Sequence, residues 1–229
     1  MNVVVLLGAP GAGKGTQAPT LSVRLGIPVV ATGDLFRAAV RDGTALGAEL
    51  KGFMDAGQLV PDDVTLRLLR ERLARPDAAA GVILDGFPRT AVQAKALDDA
   101  LAGRGERVSA AVLVDVPEDE LIRRMSGRWI CRAAGHPYHE VFSPPLTAGI
   151  CDLDGSELYQ RADDQPDTVR KRMDQQLGAL NEVIEHYRSA GALSTVDGLK
   201  GIDEVAGAID AALAAAGLLS AARVGLAAG

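Results

Sequence analysis

Aromatic side chains are scarce in this chain: one Trp, three Tyr and four Phe, 3 % of residues. A core must therefore be built mostly of Leu, Val, Ile and Ala, and apolar residues at 48 % suffice to bury one. Cysteine is nearly absent. Cys131 and Cys151 are too few for a disulfide framework. Positive charge is in deficit, with 24 basic against 30 acidic side chains and a net charge of -6. That balance argues against a broad nucleic-acid grip, which needs a basic face, yet lets a few arginines converge on one small anion. No apolar run is long enough to span a bilayer, and the opening MNVVVLLGAP has neither a basic leader nor a signal-cleavage pattern. The expectation is a cytoplasmic monomer with no membrane or nucleic-acid partner. Its 229 residues suit one α/β domain with insertions, or two small domains.

What is present alternates. VVVLL (3–7) reads as a strand buried on both faces. GVILDGF (81–87), AAVLVDV (110–116) and LSTVD (193–197) read as further strands. Helical spacing lies between and after them: TQAPTLSVRL, with Leu21 and Leu25 four apart; TAVQAKALDDALA; PEDELIRRM, with Pro117 at its start and acids in its first turn; 167–191, closed by Gly191; and GIDEVAGAIDAALAAAG. Pro19 lacks an N–H and crowds the carbonyl four residues back, so a bend or a loosened first turn is expected there. Alternating strands and helices imply right-handed crossovers and a parallel sheet. Residues 31–60 read as helical with no core strand, and 127–164 are rich in Gly, Pro, His and Asp. Both read as insertions over the carboxyl edge of the sheet, where ligands bind in such folds. From about residue 218 the chain reads as a frayed, flexible tail.

GAPGAGKGTQ (8–17) nearly matches the phosphate-gripping pattern G-x-x-x-x-G-K-[ST]. Gly8, Gly13 and Lys14 fit, but Gly15 stands where the hydroxyl belongs and Thr16 comes one residue late. The loop directly follows a buried strand and opens a helix, the context in which backbone N–H groups meet anionic oxygens. In many nucleotide triphosphatases the hydroxyl ligates Mg²⁺. Gly15 cannot, so either Thr16 substitutes or the metal rests on phosphates, waters and a more distant acid. ILDGFPRT (83–90) delivers such an acid, Asp85, at a strand end and then presents Arg89.

Arginines recur at strand ends and in the two insertions. TGDLFR (32–37) sets Thr32 before a helix and Arg37 one turn in. RRMSGR places Arg124 and Arg128 four apart, on one helical face if the helix persists. QRADDQPDTVRKR supplies Arg161, Asp163, Asp164 and Arg172. Any one of them alone would read as a solvated surface residue. Together they suit two polyanions that must meet: fixed cations cancel the repulsion, and a phosphate acceptor is already an anionic nucleophile that needs no base.

In order and spacing GAPGAGKGTQ, TGDLFR, DGFPRT, the GRW segment and QRADDQPDTVRKR resemble adenylate kinase, within the nucleoside monophosphate kinase family, from Val3 to about Leu213. The length of 127–164 resembles the long-lid bacterial type. The resemblance implies a P-loop α/β fold: a parallel five-stranded sheet flanked by helices, with two mobile insertions. The core would be 1–30, 61–126 and 165–217, with an AMP-binding insertion at 31–60 and a lid at 127–164. It implies reversible phosphoryl transfer from MgATP to AMP, giving two ADP. Gly11, Ala12, Gly13, Lys14, Gly15 and Thr16 would hold the ATP phosphates. Arg124 and Arg128 would reach ATP from the root of the lid, with Pro137 and Tyr138 near it and Lys200 approaching the base through its backbone. Thr32, Arg37, Gln58, Leu59, Val60, Gly86, Phe87, Pro88, Arg89 and Gln93 would form the AMP site. Gln93 can offer an adenine edge a paired donor and acceptor. Arg161 and Arg172 would clamp the transferring group and the AMP phosphate; independently of the resemblance, the strand-end position of Asp85 suits it to hold magnesium through water.

Long-lid relatives often hold zinc with C-x₂-C and C-x₂-[CD] pairs. Here the second pair supplies Cys151 and Asp154, but the first supplies only Cys131, because Ala134 stands at its partner position. A closed structural zinc site wants four ligands. His136 or His139 could be a fourth, though no spacing rule points to either. The sequence alone favours a lid held by packing and hydrogen bonds. GTP with AMP, or ATP with UMP or CMP, would keep the fold and change the nucleotides. A GTPase-type switch needs an N-K-x-D segment, which is missing. A chain that had lost catalysis should have lost Lys14, Arg89 or Arg172, and it retains all three.

Overall fold

The computed structural model describes residues 1–219. In chain order its elements are β1 (Asn2–Leu7), α1 (Lys14–Leu25), β2 (Val29–Ala31), α2 (Thr32–Arg41), α3 (Ala45–Asp55), α4 (Asp62–Leu73), β3 (Gly81–Asp85), α5 (Ala91–Ala102), β4 (Ala110–Asp115), α6 (Glu118–Ser126), β5 (Arg128–Cys131), β6 (Pro137–His139), β7 (Leu158–Tyr159), α7 (Pro166–Ser189), β8 (Leu193–Asp197) and α8 (Ile202–Ala215). Five strands form one parallel sheet in the order β2-β3-β1-β4-β8. The expected α/β class with a parallel five-stranded sheet flanked by helices is therefore what the chain adopts.

Alternation along β1 divides the core. Val4 and Leu6 face one layer, with Leu21 of α1, Leu121 and Met125 of α6 and Ile209 of α8. Val3, Val5 and Leu7 face the other, with Leu97 and Leu101 of α5 and Tyr187 of α7. Both faces are covered, so the central strands carry apolar residues without a polar alternate. Two aromatics, Phe87 and Tyr187, are among the largest fully buried side chains of this otherwise aliphatic interior.

Several local expectations change. The strand β2 falls in none of the four apolar runs. It is a three-residue edge strand, and Ala31, which pairs with Asp85, carries it one residue past the expected boundary at 30. Helix α1 runs unbroken through Pro19, which is exposed. Pro117 is the N-cap of α6, one residue earlier than a first-turn proline. That helix ends at Ser126, and Arg128 opens β5. Arg124 and Arg128 therefore do not share a helical face. Leu218 and Leu219, at the start of the expected tail, pack against the core, and residues 220–229 lie outside the described residues.

Two groups of elements stand apart from the sheet. Helices α2 and α3, with Val60 and Val64 beside them, gather a small apolar cluster around Leu50. Strands β6-β5-β7 form an antiparallel sheet with its own cluster of Cys131, Tyr138, Cys151 and Leu158. Among the described residues no helix is long and apolar enough to cross a membrane.

Candidate functional site

The carboxyl ends of β1 and β3 lie side by side, with Leu6 in register with Asp85. The loop after β1 must turn sharply to enter α1. Gly11 does so at φ 87°, and a Cβ there would come within 2.9 Å of Met125 Cγ and 3.0 Å of the Leu121 carbonyl. The chain thus hugs α6, and a side chain would push the loop off it. Helix α1 begins at Lys14 with no side-chain cap. Its first N–H groups are left for an anion, at the positive end of the helix dipole.

Lys14 folds back over this loop. Its Nζ donates to the carbonyls of Gly8 (2.7 Å) and Ala9 (3.0 Å). Burial pushes its pKa down to about 8; Asp85 opposes that fall, while Arg89, Arg172 and Arg128 add to it. Gly15 faces Asp85: a Cβ at 15 would lie 3.7 Å from Asp85 Oδ2. A serine or threonine at that position would stand against the carboxylate. With glycine, the space between the loop and Asp85 stays open.

Gly86, directly after β3, anchors the second half. Its carbonyl accepts from Thr32 Oγ1 (2.8 Å) and from Arg89 Nε (2.8 Å). Arg89 Nη1 donates to Gln176 Oε1 (3.0 Å), and Gln176 Nε2 donates to the Gly57 carbonyl (3.0 Å). Gly57, at φ 71°, lets that backbone approach α7; a Cβ would fall 2.6 Å from Arg172 Cγ. Burial and the nearby Arg172 draw the pKa of Arg89 down to about 10, with Asp85 opposing. Two adjoining open cavities lie here. Thr32, Arg37, Gln58, Leu59, Val60, Gln93 and Arg172 line the first, and Lys14 and Pro88 line the second. Gly86, Arg89 and Gln176 line both.

Two further arginines, Arg128 and Arg172, are held by acids, and a third is not. Arg128 Nε donates to Asp164 Oδ2 (2.8 Å), and Asp164 is fully buried. Burial works against the charge of Arg128, but Asp164 outweighs it and raises the pKa above the usual arginine value. Arg172 Nη1 donates to Asp163 Oδ2 (2.8 Å) and lies 3.8 Å from Asp164 Oδ1. Arg161 Nε is buried without a partner, and desolvation, with Arg37 and Arg128 nearby, lowers its pKa. A buried guanidinium N–H left unmatched is costly, which marks it as waiting for an acceptor.

Not every expected residue reaches these cavities. Arg124 donates to Glu120 Oε1 (2.7 Å), and its guanidinium lies 5.9 Å from the centre of the Phe142 ring. The Phe87 ring is buried in the core. Tyr138 points into the small antiparallel sheet, where its hydroxyl accepts from Asp152 N (2.7 Å). Pro137 and Lys200 are exposed. Gln93 is engaged at both ends: Oε1 accepts from Arg89 N (2.8 Å) and Nε2 donates to Asp62 Oδ1 (2.7 Å). Reading an adenine edge therefore requires it to release Asp62.

Gln176 and Asp62 were missed in the sequence. Gln176 carried a signal, since it lies four residues after Arg172 on α7 and so shares its face. Asp62 carried none, because an acid in the first turn of a helix is ordinary.

A family model described as Adenylate kinase matches residues 6–192. The chain is 49 % identical over 210 residues to the adenylate kinase of Lysinibacillus sphaericus, an overlap of 92 % of this chain and 97 % of the relative. It is 48 % identical to that of Listeria monocytogenes and 46 % identical to that of Staphylococcus epidermidis, each over 202 residues, 88 % of this chain and 94 % of the relative.

Proposed function

The chain belongs to the adenylate kinase family, and from that premise we propose how its residues divide the reversible transfer of a phosphoryl group from MgATP to AMP. The products are two ADP. One observation carries the division: Arg89 walls both cavities, between the Lys14 loop on one side and the Thr32–Val60 cavity on the other. ATP phosphates lie on the loop from Gly11 to Thr16, and AMP lies between Thr32, Gln58, Leu59, Val60 and Gln93. The two phosphates then meet at Arg89. The attacking oxygen of AMP is already anionic, so the residues supply charge and alignment rather than a base.

Lys14 and Arg89 are placed to hold the transferring group. Arg128, Arg161 and Arg172 complete the cage when the insertions at 31–60 and 127–164 close over the core. Asp163 and Asp164 keep two of these arginines paired until phosphate oxygens replace them. Closure is favoured by chemistry, because water competes with AMP as acceptor and an assembled open site would hydrolyse ATP. Asp85, which faces Gly15 at the end of β3, would hold Mg²⁺ together with Thr16 and the ATP phosphates. When bound, it neutralises charge on the phosphates. Arg124 contributes at the root of the lid only if it leaves Glu120. The net charge of -6 argues against a nucleic-acid partner.

The other nucleotide pairs are not favoured by these relatives. A coupled assay of ADP formation across donor and acceptor nucleotides tests the pairing. ATP with AMP should exceed GTP with AMP and ATP with UMP or CMP, and a higher kcat/KM for UMP or CMP would overturn the acceptor assignment.

The state of Lys14 gives a second expected result. With its pKa near 8, Lys14 is charged below that pH and must take up a proton on binding phosphate above it. ATP affinity should hold between pH 7 and 8, then fall by about tenfold per pH unit until the pKa of the bound state is reached. Calorimetry at pH 8.5 in buffers of different ionisation enthalpy should show proton uptake, and Lys14→Arg should abolish it.

A further inference from the structure

Arg128 and Arg172 are each held by a carboxylate, but Arg89 is held by an amide. Its guanidinium is fixed at two points: Nε donates to the Gly86 carbonyl (2.8 Å) and Nη1 donates to Gln176 Oε1 (3.0 Å). Among the described residues none accepts from Nη2, which is left for a phosphate oxygen. An acid in place of Gln176 would align the fork but cancel its charge. A neutral amide aligns the fork and leaves the charge available, because a phosphate need not compete with a carboxylate for it.

The other end of the same amide reaches a different part of the chain. Gln176 Nε2 donates to the carbonyl of Gly57 (3.0 Å), just beyond the end of α3. Gly57 lies against Thr168 and Arg172, which precede Gln176 at intervals of four along one face of α7. The segment from Gly57 to Val60 walls the cavity assigned to AMP, and Gln176 lines both cavities. The neighbours also fix which way the amide points. A guanidinium can only donate and a carbonyl can only accept, so Oε1 must face Arg89 and Nε2 must face Gly57. Gln176 is buried, and a buried amide with one end unmatched is costly, so each contact favours the other.

On the division of nucleotides given above, we propose that Gln176 is a positioning residue that couples the wall of the acceptor cavity to Arg89. With Gly57 seated on α7, the amide is held by its nitrogen, and its oxygen aligns the guanidinium. With Gly57 lifted away, the amide is free to turn, and Arg89 loses one of its two fixed points. The charge that meets both phosphates is thus aligned when the acceptor cavity is built. Gln176 acts through Arg89 and not on the reacting atoms.

Steady-state kinetics with each nucleotide varied, beside thermal melts, tests this in Gln176→Met, Gln176→Glu, Arg89→Lys and the double variants. Methionine keeps the length of the side chain and deletes both hydrogen bonds. Gln176→Met should lower kcat by about tenfold and raise the KM for AMP by about threefold, with the KM for ATP within about twofold of the wild type. In the Arg89→Lys background the same substitution should change kcat by less than about twofold, because its effect passes through the guanidinium. Gln176→Glu is closest in shape and carries the test if Gln176→Met does not fold. It keeps the acceptor for Arg89 but sets an oxygen against the Gly57 carbonyl, and it too should lower kcat by about tenfold. Wild-type kcat and KM for AMP in Gln176→Met overturn the proposal, as does an equal loss of kcat in both backgrounds. Wild-type kcat in Gln176→Glu overturns the need for a neutral partner. The division of nucleotides fails separately, through an unchanged kcat in Arg89→Lys alone, and that result removes the proposal with it.

Discussion

Lys14→Met should lower kcat/KM by about 10³-fold, roughly 4 kcal/mol of transition-state stabilisation, while the melting temperature should stay near that of the wild type. Methionine keeps the length of the side chain and deletes the ammonium. The carbonyls of Gly8 and Ala9 that Lys14 now satisfies lie at the rim of an open cavity, where water can replace it. The loop itself is held by other means: the close approach of Gly11 to α6 and the packing of Ala9 and Ala12 in the core. The loss should therefore be in rate and ATP binding, not in folding. A coupled ADP assay beside a thermal melt separates the two. Activity within tenfold of the wild type would remove Lys14 from the site.

Arg89→Lys should cost about 10²-fold in kcat and raise the KM for AMP, with a smaller change in the KM for ATP. Two features place the effect there. Arg89 lines both cavities, so in the proposed scheme it would touch the group that moves as well as the nucleotide that receives it. Its guanidinium is also spread between the Gly86 carbonyl and Gln176, a fork that a single ammonium cannot reproduce. A residue that bound AMP equally in ground and transition states would change KM and leave kcat alone. Steady-state kinetics with each nucleotide varied distinguishes these cases, and an unchanged kcat would confine Arg89 to binding.

The parts legible in the sequence were those whose chemistry sits in consecutive residues. The phosphate loop, with β1 ahead of it and α1 behind, was one. The apolar runs of β1, β3 and β4 were others, since strands covered on both faces carry no polar alternate. The strand β2 was not, because three residues at a sheet edge leave no periodic trace. The shared helical face assumed for Arg124 and Arg128 failed at Gly127, where α6 ends. A Cβ at Gly127 would fall 2.6 Å from the His139 ring, so any other residue there would have to displace that side chain.

Gln93 and His136 show the same limit at the sites. Gln93 can present a donor and an acceptor to adenine, which its side chain alone establishes. That both are already committed, to Asp62 and Arg89, follows from α4 packing beside α5. Counting from Cys131 identified Ala134 as a missing ligand. Only the fold of the turn, with Gly135 in a left-handed conformation, brings His136, two places further on, against Cys151 and Asp154.

The sequence by itself determined the α/β class, the phosphate loop and the arginine-rich chemistry of a phosphoryl carrier, because local spacing encodes strands, helices and the residues at their ends. The tertiary structure alone decided which arginines share a wall, which acids hold them and which histidine lies against Cys151 and Asp154. Those pairings join residues far apart in the chain, and their separation is set by how the sheet and its insertions pack.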